Sequence, residues 1–184
     1  MSSKIFVISG PSGAGEDSIL NGIKDEIDYV KPVTTTTREM RPGEVEGINY
    51  YFVSKKKFKE MIDKDGFLEY TLEDRGNYYG LARVEIEKKQ KEGKLIFLKF
   101  DYNGAIYTKK IIPEAVTIMI YAPLDILEQR LFKRGESREM IKNRLEYAQG
   151  WFDNQDKFDY VVENKEGELG NTIIEIKKII KENL

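Results

Sequence analysis

Ile5-Phe6-Val7-Ile8-Ser9-Gly10-Pro11-Ser12-Gly13-Ala14-Gly15-Glu16-Asp17-Ser18-Ile19-Leu20 is the stretch on which the fold turns. The continuous apolar run at residues 5–8 suits a strand covered on both faces. A glycine-rich turn follows. From about Ser18 the apolar residues Ile19, Leu20, Ile23 and Ile27 recur at helical spacing. Buried strand, glycine turn and helix start, in that order, form the context of a phosphate-binding loop. The glycines let backbone amides turn inward around an anion at the helix N-terminus.

The loop residues are Gly10, Ser12, Gly13, Ala14, Gly15, Glu16, Asp17 and Ser18, and two of them break the pattern. After Gly15 the pattern calls for Lys and then Ser or Thr; the chain has Glu16 and Asp17 instead. The missing Lys would neutralise the transferring phosphate, and the missing hydroxyl would hold Mg²⁺. Losing one such electrostatic contact costs roughly 3 to 4 kcal/mol, and a carboxylate adds repulsion. Acidic residues in a first helical turn also favour the helix dipole. A loop whose own carboxylates satisfy the helix end has less need of a triphosphate, so normal ATP use is not expected.

Working outward, Leu95-Ile96-Phe97-Leu98 and Val116-Thr117-Ile118-Met119-Ile120 are further buried-strand runs. Helical patterns follow from about Asn103 and from Pro123, the latter through Ile126, Leu127, Arg130 and Leu131. This alternation predicts an α/β fold of the P-loop NTPase type, a parallel sheet with helices on both faces. Tyr160-Val161-Val162 suits a last strand. Ile173, Ile176 and Ile180, with Ile174 and Ile179 widening the stripe, predict a final helix. Residues 34–81 break the rhythm: rich in Thr, Tyr and Phe, they read as short strands around a helix at residues 55–63. The expected division is one domain: a core of residues 1–33, 82–133 and 145–184, an inserted subdomain at 34–81, and a mobile, charged lid at 134–144. The helix after the lid is expected to reach about Phe152, tolerating Gly150 at some cost.

Composition narrows the chemistry. The 184 residues carry 30 Lys and Arg against 32 Asp and Glu, a formal charge of −2, which argues against nucleic acid as partner. With no Cys and no His, thiolate zinc sites, disulfides, Cys nucleophiles and imidazole bases are excluded. Catalysis is left to carboxylates, Lys, Arg, Tyr, Ser, Thr, backbone amides or a metal held by oxygen. The apolar run near the N-terminus is too short for a signal peptide, and no run reaches the ~20 residues of a membrane span. No membrane association and a cytoplasmic location are expected.

A second stretch is more specific: Thr34-Thr35-Thr36-Thr37-Arg38-Glu39-Met40-Arg41-Pro42-Gly43-Glu44-Val45-Glu46-Gly47-Ile48-Asn49-Tyr50-Tyr51-Phe52. Gly66-Phe67-Leu68-Glu69-Tyr70 and Asn77-Tyr78-Tyr79-Gly80 follow it, then Asp101-Tyr102-Asn103-Gly104, Arg130-Leu131, Lys133-Arg134-Gly135, Asn143-Arg144-Leu145 and Val161-Val162-Glu163-Asn164. In order and spacing, over nearly the whole chain, these resemble the guanylate kinase family. The resemblance implies transfer of phosphate from ATP to GMP, with Mg²⁺, to give ADP and GDP. Arg38, Arg41, Tyr50 and Tyr79 would hold the GMP phosphate, as guanidinium forks and phenols suit a dianion. Glu69 and Asp101 would select guanine through its N–H donors, with Thr34 as a hydroxyl contact. Arg130, Arg134 and Arg144, with Arg38, would stabilise the transferred charge, and Asn164 would lie by the donor base.

Departures from the family cluster on one side. Besides Glu16 and Asp17, Lys99 stands where the family has the first Asp of an Asp-x-Asp pair, near metal and phosphates. Strand alternation puts Lys99 and Asp101 on one face at the carboxyl end of a strand, where such sheets bind ligands. Leu81 replaces a Ser or Thr, removing one hydroxyl contact to the GMP phosphate, and the lid is about one residue short. The GMP side is otherwise kept. In one reading Lys99 pairs with Glu16 across an emptied donor site, leaving a binder of GMP or a related guanine nucleotide. In a second, Lys99 replaces the loop lysine and Asp17 holds Mg²⁺, preserving activity. A third, from another class, is a non-catalytic module binding a phosphorylated peptide or protein; Glu69 and Asp101, and a chain that ends with its domain, weigh against it.

Overall fold

The computed structural model describes residues 4–72 and 76–184. Residues 1–3, where the leader expectation begins, and 73–75, within the expected insertion, lie outside it. The chain forms two compact units, one of Val30–Ile96 and the other of Lys4–Tyr29 with Phe97–Leu184.

In the second unit the chain starts with β1 (Ile5–Ser9), in which all five residues are buried. Successive side chains of a strand point to opposite faces, so both faces of β1 are covered. After the glycine loop comes α1 (Glu16–Ile23), which buries Ile19, Leu20 and Ile23. It begins two residues earlier than its apolar spacing predicts, because Gly15 turns the chain and the carboxylates of Glu16 and Asp17 suit a first turn.

The chain passes between the units within two strands, β2 (Tyr29–Val30) and β7 (Leu95–Lys99). Beyond β7 come α4 (Tyr102–Ile111), β8 (Val116–Tyr121), α5 (Leu124–Lys133), α6 (Arg138–Asp153), β9 (Tyr160–Glu163) and α7 (Leu169–Glu182). The five-stranded sheet has the order β2-β7-β1-β8-β9. β8 pairs in parallel with β1, Phe6 opposite Val116, and with β9, Ile118 opposite Tyr160. The α/β expectation therefore holds.

One local reading needs correction. Ile174 is 65% exposed, and α7 instead buries Thr172 with Ile176, Ile179 and Ile180. The segment expected as a lid is not uniform: Gly135 turns the chain with φ 81°, Ser137 caps the next helix by accepting from Met140 N, and α6 starts at Arg138. Gly150 sits inside α6 for a packing reason. A Cβ there would come within 2.5 Å of the Tyr102 ring, so the helix gives up propensity for close approach.

The first unit holds a four-stranded sheet of order β4-β3-β6-β5, from β3 (Thr35–Thr36), β4 (Tyr51–Phe52), β5 (Phe67–Leu72) and β6 (Tyr78–Ala82). The helix foreseen at residues 55–63 is α2 (Lys55–Asp63), capped by Ser54. Its one fully buried residue, Phe58, stacks on Phe67 at 4.3 Å and on Tyr78 at 5.1 Å. α3 (Arg83–Lys91) was not foreseen, since only Glu85 and Ile86 of its nine residues are buried and no apolar stripe marks it.

Candidate active site

The expected site residues fall in both units. In the Val30–Ile96 unit, Arg38 lies at the centre of a dense cluster. Its guanidinium grips Glu44 with two bonds, Nη1 to Oε2 at 3.0 Å and Nη2 to Oε1 at 2.6 Å, and Nη1 also donates to Glu39 O at 2.6 Å. It lies over the rings of Tyr50, at 5.3 Å, and Phe52, at 5.6 Å, within cation–π range. Glu44, quoted in the sequence without a role, also accepts from Arg41 N at 2.7 Å and so shapes the turn carrying Arg41. The Arg38 guanidinium holds the Glu44 carboxyl below the usual range, and Glu44, followed by the Tyr79 phenol, pushes Arg38 up.

Tyr50 meets Tyr79 edge to face at 5.9 Å. Arg38, Tyr50 and Tyr79 are thus brought together, while Arg41 stands exposed on the adjoining turn. Thr34 accepts from Tyr51 N through its carbonyl and is half-buried, as is Glu69 on β5. Leu81 is buried on β6, opposite Glu69 in the ladder. Sequence reading gave Glu85 no part. This buried carboxylate in the first turn of α3 accepts from Val33 N and Tyr51 OH, both at 3.2 Å, and braces the strands that carry the cluster.

In the other unit, the glycine loop lines a cleft of about 380 Å³ with Glu16, Asp17, Lys99, Asp101, Arg134, Tyr147 and Trp151 among its walls. The order of strands explains the company, since β7 neighbours β1. Ser9 Oγ donates to Phe100 O at 2.8 Å, setting the carboxyl ends of the two strands together. The Trp151 indole donates to the same Ser9 Oγ at 2.9 Å. Asp101 caps α4 by accepting from Gly104 N, and its second oxygen accepts from Tyr147 OH at 2.6 Å. Burial, and then Asp101, raise the Tyr147 phenol, which keeps it a donor. Tyr147 and Trp151, on the same face of α6, were missed because α6 read only as the helix following a lid.

Lys99 does not pair as the first reading expected. Its Nζ lies 2.8 Å from Asp17 Oδ2, while Glu16 feels it only at longer range. Asp17 was the candidate metal ligand, and among the described residues no group of three or more acidic side chains converges to hold a metal.

Two arginines expected at the transferred phosphate touch the loop itself. Arg130 donates to Gly13 O at 3.1 Å, to Asn164 O at 2.8 Å and to Glu166 at 3.0 Å. Arg144 donates to Ser12 Oγ at 2.6 Å, and its Nε lies 2.7 Å from Glu136. Arg134 ends α5, exposed at the edge of the cleft.

Asn164 braces the loop from beneath. Buried to 5% exposure, it donates to Ala14 O at 2.7 Å and accepts from Thr172 Oγ1 at 3.2 Å. Gly15 has φ 102°, and a Cβ on it would meet Asn164 Nδ2 at 2.5 Å. Asn164→Ala is expected to cost about 1–3 kcal/mol of stability by leaving buried partners unsatisfied, measurable by urea unfolding.

The family model described as guanylate kinase matches residues 2–183. The guanylate kinase of Oceanobacillus iheyensis is 36% identical over 180 residues, 96% of this chain and 86% of that protein. That of Bacillus cereus strain ZK is 40% identical over 169 residues, 90% of this chain and 82% of that one. The crystal structure of guanylate kinase from Anaplasma phagocytophilum superposes with a TM-score of 0.68 at 29% identity, covering 98% of this chain and 85% of that one.

Proposed function

The chain belongs to the guanylate kinase family, and from that premise we propose that it binds GMP, while its transfer of phosphate from ATP is severely weakened. The observation that carries this reading is the contrast between the two sides. The acceptor residues Arg38, Tyr50 and Tyr79 are gathered around one guanidinium, with Arg41 on a turn fixed by the same Glu44. On the donor side, the loop positions for a lysine and a hydroxyl hold Glu16 and Asp17.

Family membership implies ATP and Mg²⁺ as the donor complex. The residues present do not fit them. Asp17 Oδ2 lies 2.8 Å from the Lys99 ammonium, so a divalent cation held by Asp17 would face a like charge. The Glu16 side chain lines the same cleft as the loop glycines, its carboxyl close to Gly10, so a triphosphate there would meet a second anion. For Lys99 to serve as the missing loop lysine, Asp17 must first release it.

Guanine selection is assigned to Glu69 and Asp101, each in its own unit, with Thr34 as a lesser contact. The division into core, insertion at 34–81 and lid at 134–144 is part of the same proposal. Among the described residues no helix is long and apolar enough to cross a membrane, and a cytoplasmic location remains part of the proposal. Calorimetry tests the reading. GMP is expected to bind at least about tenfold more tightly than AMP, because the wrong base leaves polar groups unpaired, with little GDP formed when MgATP is added. Equal binding of the two nucleotides, or brisk turnover, would refute it.

A further inference from the structure

The loop geometry and the position of one side chain disagree with simple loss of function. The loop keeps the backbone shape that suits an anion. Gly13 and Gly15 hold φ of 97° and 102°, Ala14 N bonds back to Pro11 O at 2.9 Å, and the carbonyls of Gly13 and Ala14 are held from outside by Arg130 and Asn164. Successive amides in such a turn form a concave anion nest at a helix N-terminus. Glu16 lies beside that turn. Burial raises its carboxyl above the usual range, and the backbone amides of Glu16 and Gly15, where the helix begins, oppose the rise. Its carboxyl carbon would lie 3.3 Å from a Cβ built on Gly10, and the side chain lines the same cleft as Gly10, Gly13 and Gly15.

We infer that Glu16 is an internal ligand of its own phosphate loop, a carboxylate seated where a phosphate of the donor would sit, so that the loop is occupied rather than dismantled. Glu16 is thereby the residue that decides whether the loop admits an anion. The inference rests on the proposed reading of this loop as a weakened donor site, but it differs in what it requires. If the defect were only the missing lysine, removing the Glu16 side chain would gain nothing. If the nest is filled, removing the carboxylate opens it even with no cation added. Lys99, close to the loop on Asp17, then supplies positive charge to an incoming anion.

The test uses the full chain and magnesium-free pyrophosphate as the probe, followed by calorimetry and by fluorescence. The protein has one tryptophan, and Trp151 lines the same cleft as the loop. Glu16→Ala is expected to bind pyrophosphate about 10- to 100-fold more tightly than wild type, the range for recovering charge-assisted backbone hydrogen bonds. Glu16→Gln, which keeps the shape and removes the charge, is expected to gain less. Adding Lys99→Ala to Glu16→Ala should reduce the recovered binding. Pyrophosphate binding by wild type equal to that of Glu16→Ala, or no gain in either single variant, would overturn the inference. GMP binding by the same samples keeps the outcomes apart. A gain in pyrophosphate binding without GMP binding would uphold the internal ligand and sink the acceptor-site reading; retained GMP binding with no gain would do the reverse.

Discussion

GDP formation from GMP and MgATP is expected to rise by roughly a hundredfold to a thousandfold when Glu16 is replaced by Lys and Asp17 by Ser together, the range for one preorganised electrostatic contact at a transferring group. Each change has its own part. Glu16→Lys removes the carboxylate from the nest and returns a cation to the donor phosphates. Asp17→Ser releases Lys99 from its 2.8 Å ion pair and places a hydroxyl at the metal position. Phosphoryl transfer depends mainly on positioning and charge, and the rest of the loop is already in shape. Initial rates coupled to GDP release would show the rise. A double variant no faster than wild type would place the defect elsewhere. Robust wild-type turnover abolished by Lys99→Ala would instead establish a relocated lysine.

Arg38→Ala is expected to weaken GMP binding by about a hundredfold, since hydrogen bonds to a charged group contribute about 1.5–3 kcal/mol each and a bidentate fork makes two. Arg38 is held by Glu44 beside the rings of Tyr50 and Phe52, and is mostly buried with a side-chain exposure of 12%. Its removal also leaves Glu44, only 17% exposed, facing any incoming dianion. Guanosine, which lacks the phosphate, separates this effect from general damage. Calorimetry should find guanosine binding nearly unchanged by Arg38→Ala. Equal loss for GMP and guanosine would mean that Arg38 supports the fold of the unit and does not recognise phosphate.

The parts legible in sequence were those with a strong local signal. β1, the glycine loop and α2 follow from runs, turns and periodicity, and the order of the motifs pointed to the family. The illegible parts depended on neighbours distant in the chain. The partner of Lys99 lies 82 residues away, and alternation along β7 gives its face but not which of two adjacent carboxylates it meets. Trp151 reaches Ser9 across 142 residues. Glu85 has no marked pattern around it, and only the packing of α3 on β6 makes its carboxylate a brace. The bonds of Arg130 to the carbonyls of Gly13 and Asn164 were equally illegible, because a motif carries no record of which donors are engaged.

The brace beneath the loop has an evolutionary consequence. Asn164 and Arg130 hold the carbonyls of Ala14 and Gly13, and Gly15 turns the chain into α1 with no side-chain cap. The shape of the loop is thus maintained largely by residues outside it, and a carboxylate at positions 16 and 17 still suits the first turn of α1. On the proposed reading, those positions are where change accumulates once selection on catalysis relaxes, and the backbone cradle then keeps the donor chemistry within reach of a few substitutions.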